Sequence, residues 1–409
     1  MNPSRSPAQN DFDLDLAIEN WSRGTTLPRQ FFTSAEVFEL DVERVHFRHW
    51  LFAGHASRIS KPGDFFRYDI AGESLLIVRD QSGRARAFFN VCRHRGSQLC
   101  KQEFGTVRQF VCPYHAWSYG TDGGLRAARH LPPTVDKSQL ALHAAHVVEV
   151  EALLFVCLAE SPPDLRSVTD DLTQFFSPHR LADAKICHRT SYRIQANWKI
   201  VTENFWECYH CGPAHPELEQ VMGYVRAADS KRAQQQYDAY VAKWEQDTAS
   251  RGFVTGSSTS ETGLCEHTVR IPIREGFVTQ SRGGQPVAPL MGDYQEYDGG
   301  VTAIQFFPLN WIVACNDHAM LSRFTPVSPQ TTEVEITWLV DGNAREGEDY
   351  SVEDVTWLWA KTVEQDAWLC ENNQRGVNSR RYQPGPYSTM ENAAAGFVDW
   401  YLTQLRQEE

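Results

Sequence analysis

Two short words of the sequence bring four metal-binding side chains together. Cys92 and His94 stand in one, Cys112 and His115 in the other, with seventeen residues between His94 and Cys112. Two thiolates and two imidazoles can close a tetrahedral zinc site. They can also hold a two-iron, two-sulfide cluster, with the thiolates on one iron and neutral imidazoles on the other. That arrangement raises the reduction potential above that of an all-cysteine cluster and suits a one-electron carrier. The four residues by themselves leave both readings open.

A second set lies downstream in the stretch Glu203 to His215. Residues 197 to 211 contain neither Pro nor Gly, which predicts a helix that stops at Gly212-Pro213. On such a helix Glu207 and His210 share a face, and His215, just past the break, is free to turn back toward the same metal. Two imidazoles and one carboxylate form the facial triad that leaves positions open for oxygen on non-heme Fe(II). A carboxylate one helical turn before a ligating His can also accept its second ring N–H and fix the tautomer. That role falls to Glu207. Cys208 and Cys211 could be a redox pair by their spacing, but one helical turn beside a metal ligand favours packing residues, and Cys100 is read the same way.

The words around these ligands carry a resemblance. Cys92-Arg93-His94-Arg95-Gly96, Cys112-Pro113-Tyr114-His115-Ala116-Trp117 and Glu207-Cys208-Tyr209-His210-Cys211 resemble the cluster loops and iron-binding segment of Rieske non-heme iron oxygenases, catalytic (alpha) subunit. The resemblance spans nearly the whole chain, from Trp50 to Tyr401, and is weakest between about 225 and 300. It implies a [2Fe-2S] cluster on Cys92, His94, Cys112 and His115, which displaces the zinc reading. It also implies a mononuclear Fe(II) on His210 and His215, with a carboxylate from a late helix. Asp366 takes that place, with Glu364 and Glu371 as fallbacks. In the family an acid at the position of Glu207 bridges the iron His of one subunit to a cluster His of the next, so His115, Glu207 and His210 would form one inter-subunit electron path. Ring-hydroxylating dioxygenases usually carry Asp there. Glu is more like the branch acting on quaternary ammonium compounds, the carnitine, glycine betaine and proline betaine oxygenases. The implied partners are O₂, a small substrate and an NAD(P)H-dependent flavin/iron–sulfur reductase, and the implied assembly is a head-to-tail homotrimer.

The elements that must position these residues are legible as patterns. A polar start leads to a Ser34-capped helical repeat at 35 to 47. From Trp50 to about 157 short strands alternate with turns, at Phe65–Tyr68, Ser74–Arg79, Ala87–Val91 and Gln109–Val111, with hairpin signals at Asp80–Gly83 and Thr121–Gly124. Ser161-Pro162-Pro163-Asp164 marks a boundary. Beyond it come a strand at Ile186–Ile194, the iron helix, a polar stretch of uncertain structure at about 225–263, and strands around Val301–Ala314, His318–Pro326 and Val334–Val340. A long helix from Ser351 to Gly376 should carry Asp366 near its middle and turn Trp357, Ala360, Val363, Ala367 and Cys370 inward. The expectation is an α+β protein. An N-terminal segment (1–44) would pack on the catalytic domain, followed by an all-β cluster domain (45–158) and a catalytic domain with an antiparallel sheet covered by helices (159–409).

Composition narrows the function. A net charge of −13 argues against nucleic acid. No apolar run reaches spanning length, and the start has no signal-peptide core, so a cytoplasmic protein without a membrane partner is expected. Ten cysteines in a reducing compartment are read as ligands and thiols. A pure electron carrier would need only the first domain, leaving some 250 residues idle, and a zinc-stapled binding module would lack iron. The reaction expected is N-demethylation or hydroxylation of a methylated amine or betaine, with aromatic ring hydroxylation as the alternative. Aromatic faces would hold such a cation, and Phe205, Trp206 and Phe307 are the candidates, with Tyr209, Phe306 and Trp311 also near the expected pocket.

Overall fold

The computed structural model describes residues 13–227, 230–259, 266–308 and 310–406. The chain start on which the cytoplasmic expectation partly rests lies, up to residue 12, outside them. Among the described residues no helix is long and apolar enough to cross a membrane.

The first half is built of short antiparallel strands. They are β1 (Leu51–His55), β2 (Asp64–Ile70), β3 (Glu73–Arg79), β4 (Ala85–Phe89), β5 (Phe104–Thr106), β6 (Gln109–Val111), β7 (Ser118–Gly120), β8 (Leu125–Ala127), β9 (Ala144–Val150) and β10 (Leu153–Cys157). Seven form one sheet in the order β1-β10-β9-β4-β3-β2-β5, and β6-β7-β8 form a small second one. The expected hairpins are there for local reasons. Asp80 caps the β3–β4 turn, accepting from Ser82 N at 2.8 Å and Arg84 N at 3.0 Å. In the β7–β8 turn Gly123 has φ +82°, and a Cβ there would lie 2.4 Å from Phe88. Only glycine fits both the turn and that approach. The two cluster words sit in the loops after β4 and after β6.

The second half is one antiparallel seven-stranded sheet, β11 (Ala184–Ile194), β12 (Gly256–Thr259), β13 (His267–Pro272), β14 (Gly300–Gln305), β15 (Asn310–Ala314), β16 (His318–Ser328) and β17 (Thr331–Asp341), in the order β11-β17-β16-β15-β14-β13-β12. What read as one strand at Val301–Ala314 is two, β14 and β15. The long helix spans Val352–Val377, and the Ser351 side chain accepts from Asp354 N. Its inward stripe differs from the expected one. Val363 and Cys370 are buried, but Trp357, Ala360 and Ala367 are only half-buried, while Leu358, Trp359, Thr362 and Asp366 are buried. The helix is rotated so that its polar Asp366 lies on the buried face. The polar stretch of uncertain structure contains a 20-residue helix, Lys231–Ser250, pinned by Trp244 Nε1 donating to Asp298 O at 2.6 Å.

One buried cluster holds the helices Trp198–Phe205, Val352–Val377 and Asn392–Arg406 against one face of this sheet, and a second fills its opposite face with Phe175, Phe176, Ile304, Phe306 and Ile312. Asp41, fully buried at the end of the helix Ala35–Asp41, accepts from Trp198 Nε1 at 2.8 Å and Tyr401 Oη at 2.6 Å and pairs with buried Lys199. The N-terminal segment is thereby tied to the start of the metal-binding segment and to the C-terminal helix. The two halves meet where Arg189 pairs with Glu103 at 2.8 Å and Arg323 donates to Ala53 O at 3.3 Å.

Candidate active site

The first site is assembled by the two loops. Cys92 and Cys112 are 2% exposed, whereas His94 and His115 are at the surface, their Nδ1 atoms 3.2 Å apart. Trp117 stacks flat on His94 at 4.7 Å. Tyr119 Oη lies 3.3 Å from Cys92 Sγ. Burial alone would push the Cys112 thiol up, but the backbone N–H groups of Tyr114 and His115 and the side chains of Cys92 and Ser97 outweigh it and hold it below the ordinary range. Hydrogen bonds to sulfur are the means by which a protein tunes such a centre. Two buried thiols, with two imidazole nitrogens converging at the surface, fit a cluster whose histidine-held iron faces outward.

The second site departs locally from expectation. The helix Trp198–Phe205, capped by Asn197, ends six residues early, and Gly212-Pro213 lie inside a separate short helix, Cys211–Ala214. Glu207 explains the early stop. Its carboxylate accepts from Tyr209 N and from His210 N, so these backbone donors bond to a side chain two and three residues before them rather than to helix carbonyls. Glu207 and His210 therefore meet across a turn, not along a helix face, with Glu207 Oε1 2.5 Å from His210 Nδ1. Cys208 and Cys211, expected as packing thiols, form a disulfide across the same turn, Cα to Cα 4.9 Å.

The carboxylate from the long helix closes the site. Asp366 Oδ1 is 3.3 Å from His210 Nε2 and 3.0 Å from His215 Nε2. The other ring nitrogen of each histidine is held from outside, by Glu207 on His210 and by Gln365 Oε1 at 2.9 Å on His215. His215 Nε2 and Asp366 Oδ1 are both buried and have no partner of hydrogen-bond geometry. Two buried polar atoms left without a hydrogen-bond partner, 3.0 Å apart and beside His210 Nε2, suit the ligands of a metal ion. Burial pulls His210 down, but the Asp366 and Glu207 carboxylates outweigh it and raise its pKa to about 9. Cys211 Sγ also lies within 4.8 Å of donor atoms of both histidines, but its sulfur is engaged in the disulfide, which leaves Asp366 as the third donor. Glu364 pairs with Lys361 on the surface, and Glu371 accepts from Gln195 N, so neither fallback reaches the site.

The three groups stand at one side of a cavity of about 370 Å³. Phe205, Trp311 and Trp359 form a continuous aromatic wall, with ring centroids 5.7 and 4.7 Å apart. Phe205 and Trp206 line the cavity as expected, but Phe307 does not. It is 2% exposed and packs beneath Trp206 at 4.3 Å and beside Trp400 at 4.8 Å, a core position supporting the wall from behind. Phe306 belongs to the core on the far side of the sheet, and Tyr209 is largely exposed. Gln365 and Trp359 were missed in the sequence. The signal for Trp359 was present, since Trp359, Thr362 and Asp366 recur at i, i+3 and i+7 on one helix face.

A cluster-binding β domain feeding a helix-covered sheet that carries a two-histidine, one-carboxylate site defines the catalytic component of a two-centre iron oxygenase. The family pattern described as ring hydroxylating alpha subunit (catalytic domain) matches residues 181–407, and that of the Rieske [2Fe-2S] domain matches 49–145. The chain belongs to the Rieske-type ring-hydroxylating oxygenase alpha subunits. It is 37% identical over 383 residues to the glycine betaine monooxygenase oxygenase subunit of Chromohalobacter salexigens, covering 92% of this chain and 85% of that one. The Pseudomonas aeruginosa (strain UCBPP-PA14) protein of the same description is 36% identical over 387 residues, 93% and 89% of the two chains. Among solved structures, the quaternary ammonium Rieske monooxygenase CntA in complex with L-carnitine superposes with a TM-score of 0.68 at 22% identity, covering 97% of this chain and 99% of that one. This last likeness is one of fold.

Proposed function

We propose that this protein is the oxygenase component of a Rieske monooxygenase that oxidises an N-methyl group of a small betaine or related quaternary ammonium compound. Cys92, His94, Cys112 and His115 hold the [2Fe-2S] cluster, and His210, His215 and Asp366 hold Fe(II). When bound, the iron supplies O₂ activation and C–H oxidation, and the cluster supplies single electrons drawn from an NAD(P)H-dependent reductase. The chain's own groups supply the geometry. Glu207 holds the Nδ1 proton of His210 and Gln365 that of His215, turning both Nε2 lone pairs inward. Phe205, Trp311 and Trp359 exclude water and present π faces to a cation.

The observation that carries this reading is the lining of the cavity. Its wall is aromatic, and among the described residues no Lys or Arg lines it, so no ammonium or guanidinium stands there against a fixed positive charge. The two relatives named above act, by their names, on glycine betaine. Hydroxylation of the N-methyl carbon consumes O₂, two electrons and two protons and yields water and a carbinolamine. The carbinolamine C–N bond then breaks to give formaldehyde, the demethylated amine and a proton. Glu207 further serves as the bridge from a neighbouring subunit's His115 to His210, which requires a closed ring of chains, a homotrimer. Residues 1–44 form the segment that packs on the catalytic domain, 45–158 the cluster domain and 159–409 the catalytic domain, and the protein works in the cytoplasm.

The test is a substrate screen with iron-loaded protein and a suitable reductase. Formaldehyde should appear in step with NADH and O₂ consumption when betaines or carnitine are supplied. Inert betaines, together with an aromatic acid gaining one or two hydroxyls, would replace this substrate class by ring hydroxylation and leave the metal ligands standing.

A further inference from the structure

The cavity has a polar end that the metal chemistry does not use. The sheet face toward the cavity is set by the period of two: His267, Val269 and Ile271 of β13 line it, while Thr268 and Arg270 turn to the other face, where Arg270 pairs with Asp298. On β14 the lining residues are Val301, Ala303 and Gln305. His267 and Gln305 are direct partners in the β13–β14 ladder, so their side chains stand next to one another in the wall. Each has unused hydrogen-bonding capacity. Among the described residues the Gln305 amide makes no hydrogen bond, and of the His267 ring only Nδ1 is engaged, 3.0 Å from Thr259 Oγ1. In the tautomer in which Thr259 donates to Nδ1, the imidazole proton sits on Nε2, where it can be donated to a ligand. Burial pulls the His267 pKa below its ordinary value, against the opposing field of Asp171, so near neutral pH the ring is uncharged.

We infer that His267 and Gln305 form a carboxylate-recognition pair, which makes the enzyme select zwitterionic betaines over quaternary ammonium compounds lacking an acid group. The inference rests on the substrate class proposed above and adds the determinant within it. A free carboxylate entering an aromatic cavity loses its hydration and needs donors in return. Two adjacent neutral N–H donors answer that need without a guanidinium or ammonium, whose charge in the same small cavity would repel the substrate's cationic head. Of the other two carboxamides in the lining, Asn204 is taken up at the metal end, its Nδ2 3.3 Å from His210 Nε2, and Gln280 is unsuited, because its Oε1 accepts from Trp359 Nε1 at 2.9 Å and its Nε2 lies against Met222 Sδ. It braces the aromatic wall instead.

Titration calorimetry of the metal-loaded protein with glycine betaine, γ-butyrobetaine and choline tests this without relying on turnover. The wild type should bind at least one of the two carboxylates more tightly than choline. H267L and Q305L should each weaken that carboxylate by roughly tenfold or more, the scale of one lost hydrogen bond to a charged group, and leave choline within about twofold of its wild-type affinity. H267Q, which keeps a donor, should retain most of the carboxylate affinity, and Q305E should reject carboxylates while gaining choline. Equal losses for carboxylates and choline, or no loss for carboxylates, would overturn the pair while leaving the quaternary ammonium reading intact. Wild-type protein that binds none of the three ligands would overturn both.

Discussion

Glu207→Gln separates the two tasks assigned to one carboxylate. Glu207 accepts from two backbone N–H groups and from His210 Nδ1, the last at 2.5 Å. The amide keeps an oxygen for these donors but loses the charge. A hydrogen bond to a charged group contributes about 1.5–3 kcal/mol and a neutral one about 1 kcal/mol, so His210 loses roughly 1–2 kcal/mol of support. Iron affinity should therefore fall about 5- to 30-fold, a loss that excess Fe(II) restores. Gln365→Leu, which removes the corresponding support from His215, should show the same kind of rescuable loss. The two variants should diverge in turnover at saturating iron. Q365L recovers, while E207Q stays depressed on the order of a hundredfold, the upper range for losing a partner of a metal-bound histidine, because the path from the neighbouring cluster is broken. The assay combines chelator-competition iron binding, the visible spectrum of the cluster to show that it is intact, and the rate at which reduced cluster reoxidises with substrate and O₂. E207Q turning over at the wild-type rate once iron is saturating would refute the bridge.

Iron analysis of the purified protein should find about three irons per chain, two with the cluster thiolates and imidazoles and one mononuclear, whereas stoichiometric zinc without iron would contradict both sites. Asp41→Asn should destabilise the fold by about 3–5 kcal/mol in denaturant titration, since it leaves the buried Lys199 ammonium without its counter-charge. Glu203 is half-buried, and desolvation raises its pKa to about 7 against the opposing Tyr387 hydroxyl and Lys199. Its folded pKa lies above the unfolded value, so between about pH 4.5 and 7 the folded state holds a proton that the unfolded chain has released. Wild-type stability should fall across that window as pH rises, and Glu203→Gln should flatten the slope. An unchanged slope would show that Glu203 ionises normally. Trp311→Leu should weaken cation binding by about 0.5–2 kcal/mol by calorimetry, whereas Phe307→Leu should act mainly on thermal stability, since Phe307 supports Trp206 from behind.

The ligand words were legible because a metal dictates both residue type and close spacing. Cys92, His94, Cys112, His115, His210 and His215 need only a few residues of chain each to converge, and the structure brings the first four together in two loops and the last two around Asp366. The strands of the first half were legible from their alternation and their Asp and Gly turns, and the long helix from its apolar residues at helical spacing. The sequence by itself therefore determined the chemistry and the class of elements carrying it.

What it did not determine were features fixed by contacts between distant segments. The apolar run after Asn197 is as good a helix in sequence as Val352–Val377. It stops at Phe205 because Glu207 captures the next backbone donors and the chain must turn to place His210 and His215 against Asp366, some 150 residues away. The same turn joins Cys208 to Cys211, which were read in the sequence as packing thiols. Phe205 and Phe307 are equivalent as letters, yet one faces the cavity and the other the core. Which side of a wall an aromatic ring occupies is decided by the packing of the sheet, the long helix and the C-terminal helix around it. His267 and Gln305 are 38 residues apart and acquire a common role only through the register of β13 on β14. Local chemistry is written in local spacing, but substrate geometry is a property of surfaces that the chain assembles only once folded.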